Sequence, residues 1–188
     1  MLAEGKLKND AIVATVMSNL GFHEYCRNNG IELHCAAVGD RNVLEMMQDK
    51  GFNLGGEQSG HLIFLDDATT GDGQLAAVHV LEVISQSGKK LSELAAEIPT
   101  YPQILLNISI EGGNDVKKII MSDENLKQLI EAKQKALGDT GRVLVRASGT
   151  EALIRVMVEA THQTISDEVA FSLADFIEKL SKKIKNVN

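Results

Sequence analysis

Strand-like and helix-like segments alternate along the first half of the chain, and this alternation limits the possible folds more than any other feature of the sequence. The first segment, AIVATVMSNL at residues 11–20, is apolar and rich in β-branched residues, which is typical of a buried strand. Five more segments continue the series, with helices predicted at residues 21–30, 41–51 and 72–88 and strands at residues 31–40 and 61–66. Strands and helices that alternate in this way pack in layers, so the pattern predicts an α/β fold with a largely parallel sheet.

The segment at residues 72–88 predicts a long helix with both ends marked. Asp72 can cap its first turn, and Gly88 can end its last turn. Apolar residues occupy most of its circumference, and we therefore expect this helix to be deeply buried.

The pattern changes where both prolines of the chain occur, at Pro99 and Pro102, which marks the best candidate for a domain boundary. Beyond it, LLNISI at residues 105–110 has the strict alternation of a half-buried strand. The remaining segments are a helix capped by Ser122 and closed by Gly138, the strands RVLVR and LIRVMVE, and a helix that follows Thr164. A strand, a helix, two strands and a helix in this order predict an α+β domain.

Composition narrows the class of protein. The chain of 188 residues is 44% hydrophobic and 24% charged, as ordinary soluble proteins are, and no apolar run is long enough for a transmembrane helix. Its net charge of -7 argues against a general nucleic-acid binder. The opening residues lack the pattern of a signal peptide, and Cys26 and Cys35 are expected to be free thiols, so we expect a cytoplasmic protein.

Residues 55–61, GGEQSGH, combine three glycines with hydrogen-bonding side chains. The carboxylate of Glu57 can accept hydrogen bonds from neighbouring hydroxyls of a sugar, and Ser59 and His61 can donate to hydroxyls or phosphate. The glycines would let the backbone approach such a ligand. A glycine-rich connection between two strands, with His61 at a sheet edge, explains the same residues equally well.

A second polar loop lies within RVLVRASGTEALIRVMVE, at residues 142–159. Ser148, Gly149 and Thr150 offer two hydroxyls and a run of backbone N–H groups that can form an anion-binding nest. Arg146 precedes this loop and Arg155 follows it, and guanidinium groups can hold a phosphate through paired hydrogen bonds. A β-hairpin with a polar turn and two surface arginines is the alternative.

Considered together, GGEQSGHLIFLDDATTGDG and LVRASGTEALIRVMVE resemble the sugar-binding and phosphate-binding loops of the α-D-phosphohexomutase superfamily. GEQSGH, ATVMSNLG and VGDRNVLE are most similar to the motifs of bacterial phosphoglucosamine mutases. Enzymes of that family interconvert glucosamine 6-phosphate and glucosamine 1-phosphate through a phosphoserine enzyme and a bisphosphate intermediate. The resemblance covers nearly the whole chain, with the two loops in the family's order and about ninety residues apart.

The resemblance implies the last two of the four domains found in this family. These would be a three-layer α/β/α domain over residues 1–105 and a smaller α+β domain over residues 106–188, with an antiparallel sheet and helices on one face. The family's phosphorylated serine and its aspartate-rich Mg²⁺ loop belong to the first two domains, and neither motif occurs in this sequence. We therefore expect no catalytic residue and no metal site here, Mg²⁺ only in the full-length enzyme, and the N-terminal domains as partners. A homodimer is a further expectation, through a surface that those domains would otherwise cover.

For the first loop, the resemblance implies that Glu57 and Ser59 hold sugar hydroxyls and that His61 supports them. It also implies that Arg41, in the stretch VGDR, faces the substrate, although a helix start with Asp40 as N-cap explains that stretch as well.

For the second loop, the resemblance implies a site for the phosphate that is not reacting. Its residues would be Arg146, Ser148, Gly149 and Thr150, with Arg155 nearby. Ala147 and Ala152 stand where the family usually has prolines, so we expect a less rigid loop with a slightly larger entropy loss on binding.

Three aspartates, Asp66, Asp67 and Asp72, lie close together in the sequence but do not match the spacing of a calcium-binding loop. We expect them to form a turn and the N-cap of the following helix.

Two other functions fit the same residues. One is a fragment of a phosphomannomutase/phosphoglucomutase, which shares both loops, and the other is a sugar-phosphate-binding module without catalysis. For the 188-residue chain by itself, we expect weak binding of sugar phosphate and no turnover.

Overall fold

The structure, a computed structural model, describes residues 1–185. The chain divides into two compact units, of which the first comprises Met1–Thr100 and the second begins at Tyr101. The predicted domain division between residues 105 and 106 stays a prediction, and it would fall inside the first strand of the second unit.

The first unit contains a four-stranded sheet and its helices. Its elements, in chain order, are β1 (Ala11–Thr15), α1 (Leu20–Asn28), β2 (Glu32–Ala36), α2 (Asp40–Lys50), β3 (Leu54–Gly56), β4 (Leu62–Phe64), α3 (Gly73–Ser87) and α4 (Leu91–Ala95). The strand order is β2-β1-β3-β4; the first three strands are parallel, and β4 is antiparallel to β3. The sheet is therefore largely parallel, as predicted, with one antiparallel edge strand.

Strand β3 was not predicted, because its two glycines weaken the strand signal of this short segment. The packing explains one of them: a Cβ atom added to Gly55 would lie 2.4 Å from Sδ of Met47 and 2.9 Å from Cγ1 of Val43. Helix α2 can pack this closely against β3 only where β3 has no side chain.

Helices cover both faces of this sheet. The connections β1–α1–β2 and β2–α2–β3 cross the sheet in opposite directions, and right-handed crossovers then place their helices on opposite faces. Val13, Val43 and Met47 are fully buried on the α2 face. Cys26 of α1 is buried, and burial raises the pKa of its thiol to about 11. The expected α/β/α layers are confirmed.

Helix α3 has the predicted ends but not the predicted burial. Asp72 accepts hydrogen bonds from the N–H groups of Gln74 and Leu75, and Gly88 ends the helix with a φ of 66°. Only Ala76 is buried, whereas Leu81 is 63% exposed. The expectation of deep burial is wrong for the described residues, because an apolar circumference does not itself supply elements to cover it.

The second unit contains a three-stranded antiparallel sheet. Its elements are β5 (Gln103–Ser109), α5 (Gly113–Ser122), α6 (Glu124–Leu137), β6 (Gly141–Ala147), β7 (Leu153–Ala160) and α7 (Gln163–Lys185). Strand β7 lies between β5 and β6. Alternate residues of the strands, such as Ile108, Ile154 and Val156, are buried in one core with residues of all three helices, so the helices occupy one face, as predicted.

One helix of this unit was missed, and one predicted N-cap is wrong. Helix α5 was not predicted, and Ser122 is its last residue, with its hydroxyl donating to the carbonyl of Ile119. The N-cap of α6 is Asp123, which accepts from the N–H of Leu126 at 2.9 Å. A carboxylate and a hydroxyl are comparable N-caps, so adjacent Ser and Asp cannot be ranked by residue type alone.

Hydropathy gives no membrane-spanning candidate in this part of the chain: none of the helices within residues 1–185 combines the necessary length and apolar character.

Candidate functional site

The first polar loop is the tight turn of the β3–β4 hairpin. The N–H of Glu57 donates to the carbonyl of His61 at 2.8 Å, and the N–H of Gly60 donates to the carbonyl of Glu57 at 3.0 Å. Gly60 has a φ of 99°, a conformation that favours glycine. Packing requires Gly55, and a Cβ atom on Gly56 would lie 2.7 Å from Cδ2 of Leu62. The hairpin itself therefore explains these three glycines, in agreement with the alternative that the segment is a glycine-rich connection between two strands.

The carboxylate of Glu57 is the centre of this loop. Its Oε1 accepts from the N–H of Gly39 at 2.9 Å, and its Oε2 accepts from the hydroxyl of Ser59 at 2.9 Å. Nδ1 of His61 lies 3.4 Å from Oγ of Ser59 and 3.9 Å from Oε2 of Glu57. The structure thus brings together all three residues predicted here. Each carboxylate oxygen keeps one lone-pair site, so Glu57 can still accept two hydrogen bonds from a ligand.

The contact with Gly39 ties this hairpin to the start of helix α2. Gly39 is the N-cap residue of α2, so the Glu57 carboxylate lies at the positive end of the helix dipole. Asp40 is not the N-cap that was considered; it is the first helical residue, and its Oδ1 accepts from the N–H of Arg41.

Arg41 is paired with a residue outside this hairpin. Its Nε donates to Oε1 of Glu45 at 2.7 Å, its side chain is 86% exposed, and the hydrogen bond with Glu45 raises its pKa. Because exposed ion pairs of this kind are weak, Arg41 can leave Glu45 at little cost when a ligand binds. Its predicted contact with substrate stays a prediction.

The second polar loop, residues 148–152, connects β6 to β7. Ser148 is buried and closes the turn: its N–H donates to the carbonyl of Leu153 at 2.9 Å, and its Oγ accepts from the N–H of Glu151 at 3.2 Å. The hydroxyl hydrogen of Ser148 remains available to a further acceptor.

The outer side of this loop consists of unused donors. Within residues 1–185, the N–H groups of Gly149, Thr150 and Ala152 have no acceptor. A Cβ atom added at Gly149 would meet nothing within 4 Å, so neither packing nor backbone conformation requires glycine there. Neighbouring N–H groups without acceptors form a concavity suited to an anion, and the missing side chain keeps its entrance open.

Two arginines flank these donors. Arg146 on β6 lies directly opposite Arg155 on β7. Arg155 is paired with Glu151 at 2.6 Å, but its Nε is buried without a partner. Arg146 makes no ion pair in the described part of the chain, and burial together with the charge of Arg155 lowers its pKa. Like charges facing each other across two strands are destabilising, so the pair favours a bound anion.

A further residue at this loop, Lys117 of helix α5, was not among the predicted site residues. Its side chain is buried, and its Nζ donates to the carbonyls of Ser148 and Glu151, at 2.7 Å in each case. It is one of two adjacent lysines on a helix that was not predicted, and neighbouring lysines usually lie at the surface.

The aspartates between β4 and α3 have structural partners. Asp66 forms hydrogen bonds with Lys8 and with Nδ2 of Asn53, and Asp67 forms one with His79. Asp72 accepts a hydrogen bond in the first turn of α3, as predicted for an N-cap. No group of three or more His, Cys, Asp or Glu side chains within residues 1–185 could hold a metal ion.

Family models match both units of the chain. Residues 1–101 match the phosphoglucomutase/phosphomannomutase α/β/α domain III, and residues 105–176 match the phosphoglucomutase/phosphomannomutase C-terminal domain.

Curated relatives extend well beyond this chain. It is 49% identical over 179 residues to phosphoglucosamine mutase from Caldanaerobacter subterraneus, covering 95% of this chain but 40% of that protein. It is also 49% identical to phosphoglucosamine mutase from Ligilactobacillus salivarius, over 93% of this chain and 38% of that protein. The chain thus spans about two fifths of the length of these relatives.

Solved structures support the fold. N-acetylphosphoglucosamine mutase from Aspergillus fumigatus, solved in complex with GlcNAc-6P and magnesium, superimposes with a TM-score of 0.76 at 20% identity, covering 94% of this chain and 40% of that one. Another structure of the enzyme from this organism gives a TM-score of 0.77 at the same identity. At this identity the likeness concerns the fold alone.

Proposed function

Because this chain belongs to the phosphoglucomutase/phosphomannomutase family, we propose that it is the substrate-binding part of a phosphoglucosamine mutase. In this role, the loop at residues 148–152 binds the phosphate that is not reacting, and the hairpin at residues 57–61 binds hydroxyls of the sugar. The substrates are glucosamine 6-phosphate and glucosamine 1-phosphate.

The observation that carries this proposal is the set of unused donors at the second loop. Gly149 and Thr150 have N–H groups without acceptors, and Arg146 has no ion-pair partner within residues 1–185. A phosphate dianion satisfies such donors, and it also relieves the repulsion between Arg146 and Arg155. The hydroxyls of Ser148 and Thr150 are further donors, and the guanidinium of Arg155, held by Glu151, adds positive charge beside them.

The sugar hydroxyls go to Glu57 and Ser59 in this proposal. Glu57 is held in place by Gly39 and Ser59, so little side-chain entropy is lost when its remaining lone-pair sites accept sugar hydroxyls. His61 is more than half exposed and can donate to the sugar or its phosphate, and Arg41 can do so after leaving Glu45.

The reaction proposed for the full-length enzyme has two transfers. A phosphoserine gives its phosphoryl group to one end of the sugar, the resulting bisphosphate turns over, and the phosphoryl group at the other end returns to the serine. Phosphoryl transfer depends chiefly on positioning and electrostatic stabilisation. This chain then contributes the positioning, because its two loops bind the sugar and the phosphate that stays in place, in either orientation of the sugar.

Magnesium does not fit the residues described here. Asp66, Asp67 and Asp72, which lie close together in the sequence, already have partners in Lys8, Asn53, His79 and the first turn of α3. We propose that Mg²⁺ binds to another part of the full-length enzyme, and no step above is assigned to it.

A chimeric enzyme tests this function. The C-terminal part of Caldanaerobacter subterraneus phosphoglucosamine mutase that aligns with this chain is replaced by the chain, and conversion of glucosamine 6-phosphate to glucosamine 1-phosphate is measured. We expect turnover, and we expect Arg146→Gln to reduce kcat/KM by roughly ten- to a hundredfold, as the loss of charged hydrogen bonds should. Lys135→Gln, which removes an exposed charge from the same unit, is the matched control.

A folded chimera without turnover would contradict the proposal. Turnover with glucose or mannose phosphates, but not with the glucosamine phosphates, would favour a phosphomannomutase/phosphoglucomutase instead. Binding of sugar phosphate without any turnover would favour a module that only binds.

A further inference from the structure

Lys117 is buried in an unusual way. Its side chain is 4% exposed, yet no carboxylate pairs with it in the part of the chain that the structure describes. Buried lysines are rare unless they are paired, since an ammonium group is costly to remove from water. Here the partners are two backbone carbonyls, of Ser148 and Glu151, both 2.7 Å from Nζ.

These two carbonyls belong to the loop that presents the unused donors. A trans peptide directs its C=O and its N–H in opposite directions, and every peptide bond in the described residues is trans. The C=O of Ser148 shares a peptide with the N–H of Gly149, and the C=O of Glu151 shares one with the N–H of Ala152. When Lys117 holds both oxygens on the inner side, both N–H groups must point outward.

A third contact holds the C-terminal end of the loop. The carbonyl of Ala152 accepts from the N–H of Ile110 at 2.8 Å. The loop therefore turns three carbonyls toward protein donors, two of them toward Lys117, and the N–H groups of Gly149 and Ala152 face the opposite side. Backbone N–H groups on one side of the loop favour binding of an anion there, and the buried ammonium group of Lys117 adds positive charge on the other side.

We propose that Lys117 is a positioning residue for the phosphate loop: it fixes the peptides 148–149 and 151–152 with their N–H groups facing the ligand. The inference rests on the proposed function, because it concerns how the same loop binds phosphate. Lys117 itself does not touch the ligand in this proposal.

The test compares three variants of the 188-residue chain by NMR, with inorganic phosphate as the probe. Lys117→Met removes the donors and the charge but keeps the length of the side chain. Lys117→Gln keeps N–H donors without the charge. Lys118→Met removes the same charge from the exposed neighbour on α5 and is the matched control.

Without phosphate, we expect Lys117→Met to lower the heteronuclear NOE values of the amides of residues 149–152, whereas the control leaves them unchanged. In the titration, we expect the phosphate Kd to rise about tenfold or more, the usual effect of removing a residue that orients ligand-binding groups. We expect Lys117→Gln to recover part of both effects. Thermal unfolding of each variant identifies any that fails to fold, and Lys117→Gln then carries the test.

Unchanged loop dynamics and an unchanged phosphate Kd in folded Lys117→Met and Lys117→Gln variants would overturn the role of Lys117. If the amides of residues 149–152 in the unsubstituted chain do not respond to phosphate, the proposed function fails at this loop, and the role of Lys117 in phosphate binding fails with it. Comparison with the unsubstituted chain thus separates the two failures.

Discussion

At the scale of single residues, glycines of the two loops have different physical causes. Gly55 has Met47 and Val43 where a Cβ atom would be, and Gly60 has a positive φ. Gly149 has neither constraint, since its surroundings are open and its φ is one that other residues adopt. In the proposed function, the ligand supplies a reason for glycine at position 149 that the fold does not supply, and this makes Gly149 a discriminating position.

We predict that Gly149→Ala raises the free energy of unfolding by about 0.5 kcal/mol, because alanine reduces the conformational entropy of the unfolded chain. The same methyl group narrows the entrance to the N–H groups of the loop, so phosphate binding should weaken by roughly tenfold or more. Urea denaturation and a phosphate titration measure the two quantities.

The control is Gly73→Ala at the first position of α3, where a Cβ atom also meets nothing within 4 Å. It should stabilise the chain without affecting phosphate binding. If Gly149→Ala binds phosphate as well as the unsubstituted chain does, the loop does not hold the anion at this glycine.

Residue types could be predicted at this scale, but their partners could not. Glu57, Ser59 and His61 were identified by their chemistry, and the structure brings them together. The contact of Glu57 with the N–H of Gly39 joins residues 18 apart, and that of Lys117 with Ser148 joins residues 31 apart. Contacts between such distant residues follow from the topology, which the local pattern does not specify.

At the scale of secondary-structure elements, helix α3 shows what periodicity predicts and what it does not. Its length and its two ends were predicted correctly from Asp72, Gly88 and the apolar residues between them. Its burial was not, because a pattern shows which faces are apolar but not which elements cover them. Strand β3 was missed because its packing requires glycine at position 55, and glycine is a residue that weakens the sequence signal for a strand.

We predict that Leu81→Gln in α3 changes the free energy of unfolding by less than about 0.5 kcal/mol, because the side chain is already largely exposed and glutamine is a good helix former. Ile63→Ala in β4 is the comparison. Ile63 is fully buried, and its truncation should cost about 2–5 kcal/mol.

Urea denaturation at two protein concentrations measures both variants and detects association. A loss of 2 kcal/mol or more in Leu81→Gln would contradict the exposure of α3. If that loss depended on protein concentration, it would support the homodimer that the sequence suggested.

At the scale of the whole molecule, local charge rather than net charge governs the proposed binding. The chain carries a net charge of -7, yet the loop at residues 148–152 is adjacent to Lys117, Arg146 and Arg155. Only Arg155 of these three has an ion pair within the described residues. A negative protein can therefore bind an anion where buried and strand-borne cations converge on unused N–H groups.

The family was predictable from two short motifs because both resemble loops of that family and occur in its order. The largely parallel sheet of the first unit followed from the alternation of strands and helices, and the α+β character of the second followed from the change of pattern after the prolines. That the second sheet is antiparallel was implied by the resemblance to the family.

The most direct measurement is an NMR titration of the purified 188-residue chain with glucosamine 6-phosphate. We predict weak, millimolar binding, in which the amides of Ser59, His61, Gly149, Thr150 and Ala152 shift along one common saturation curve, with no glucosamine 1-phosphate formed. Amides of either loop that stay unshifted as others saturate would contradict the proposed site, and turnover by the chain alone would contradict its role as the binding part of a larger enzyme.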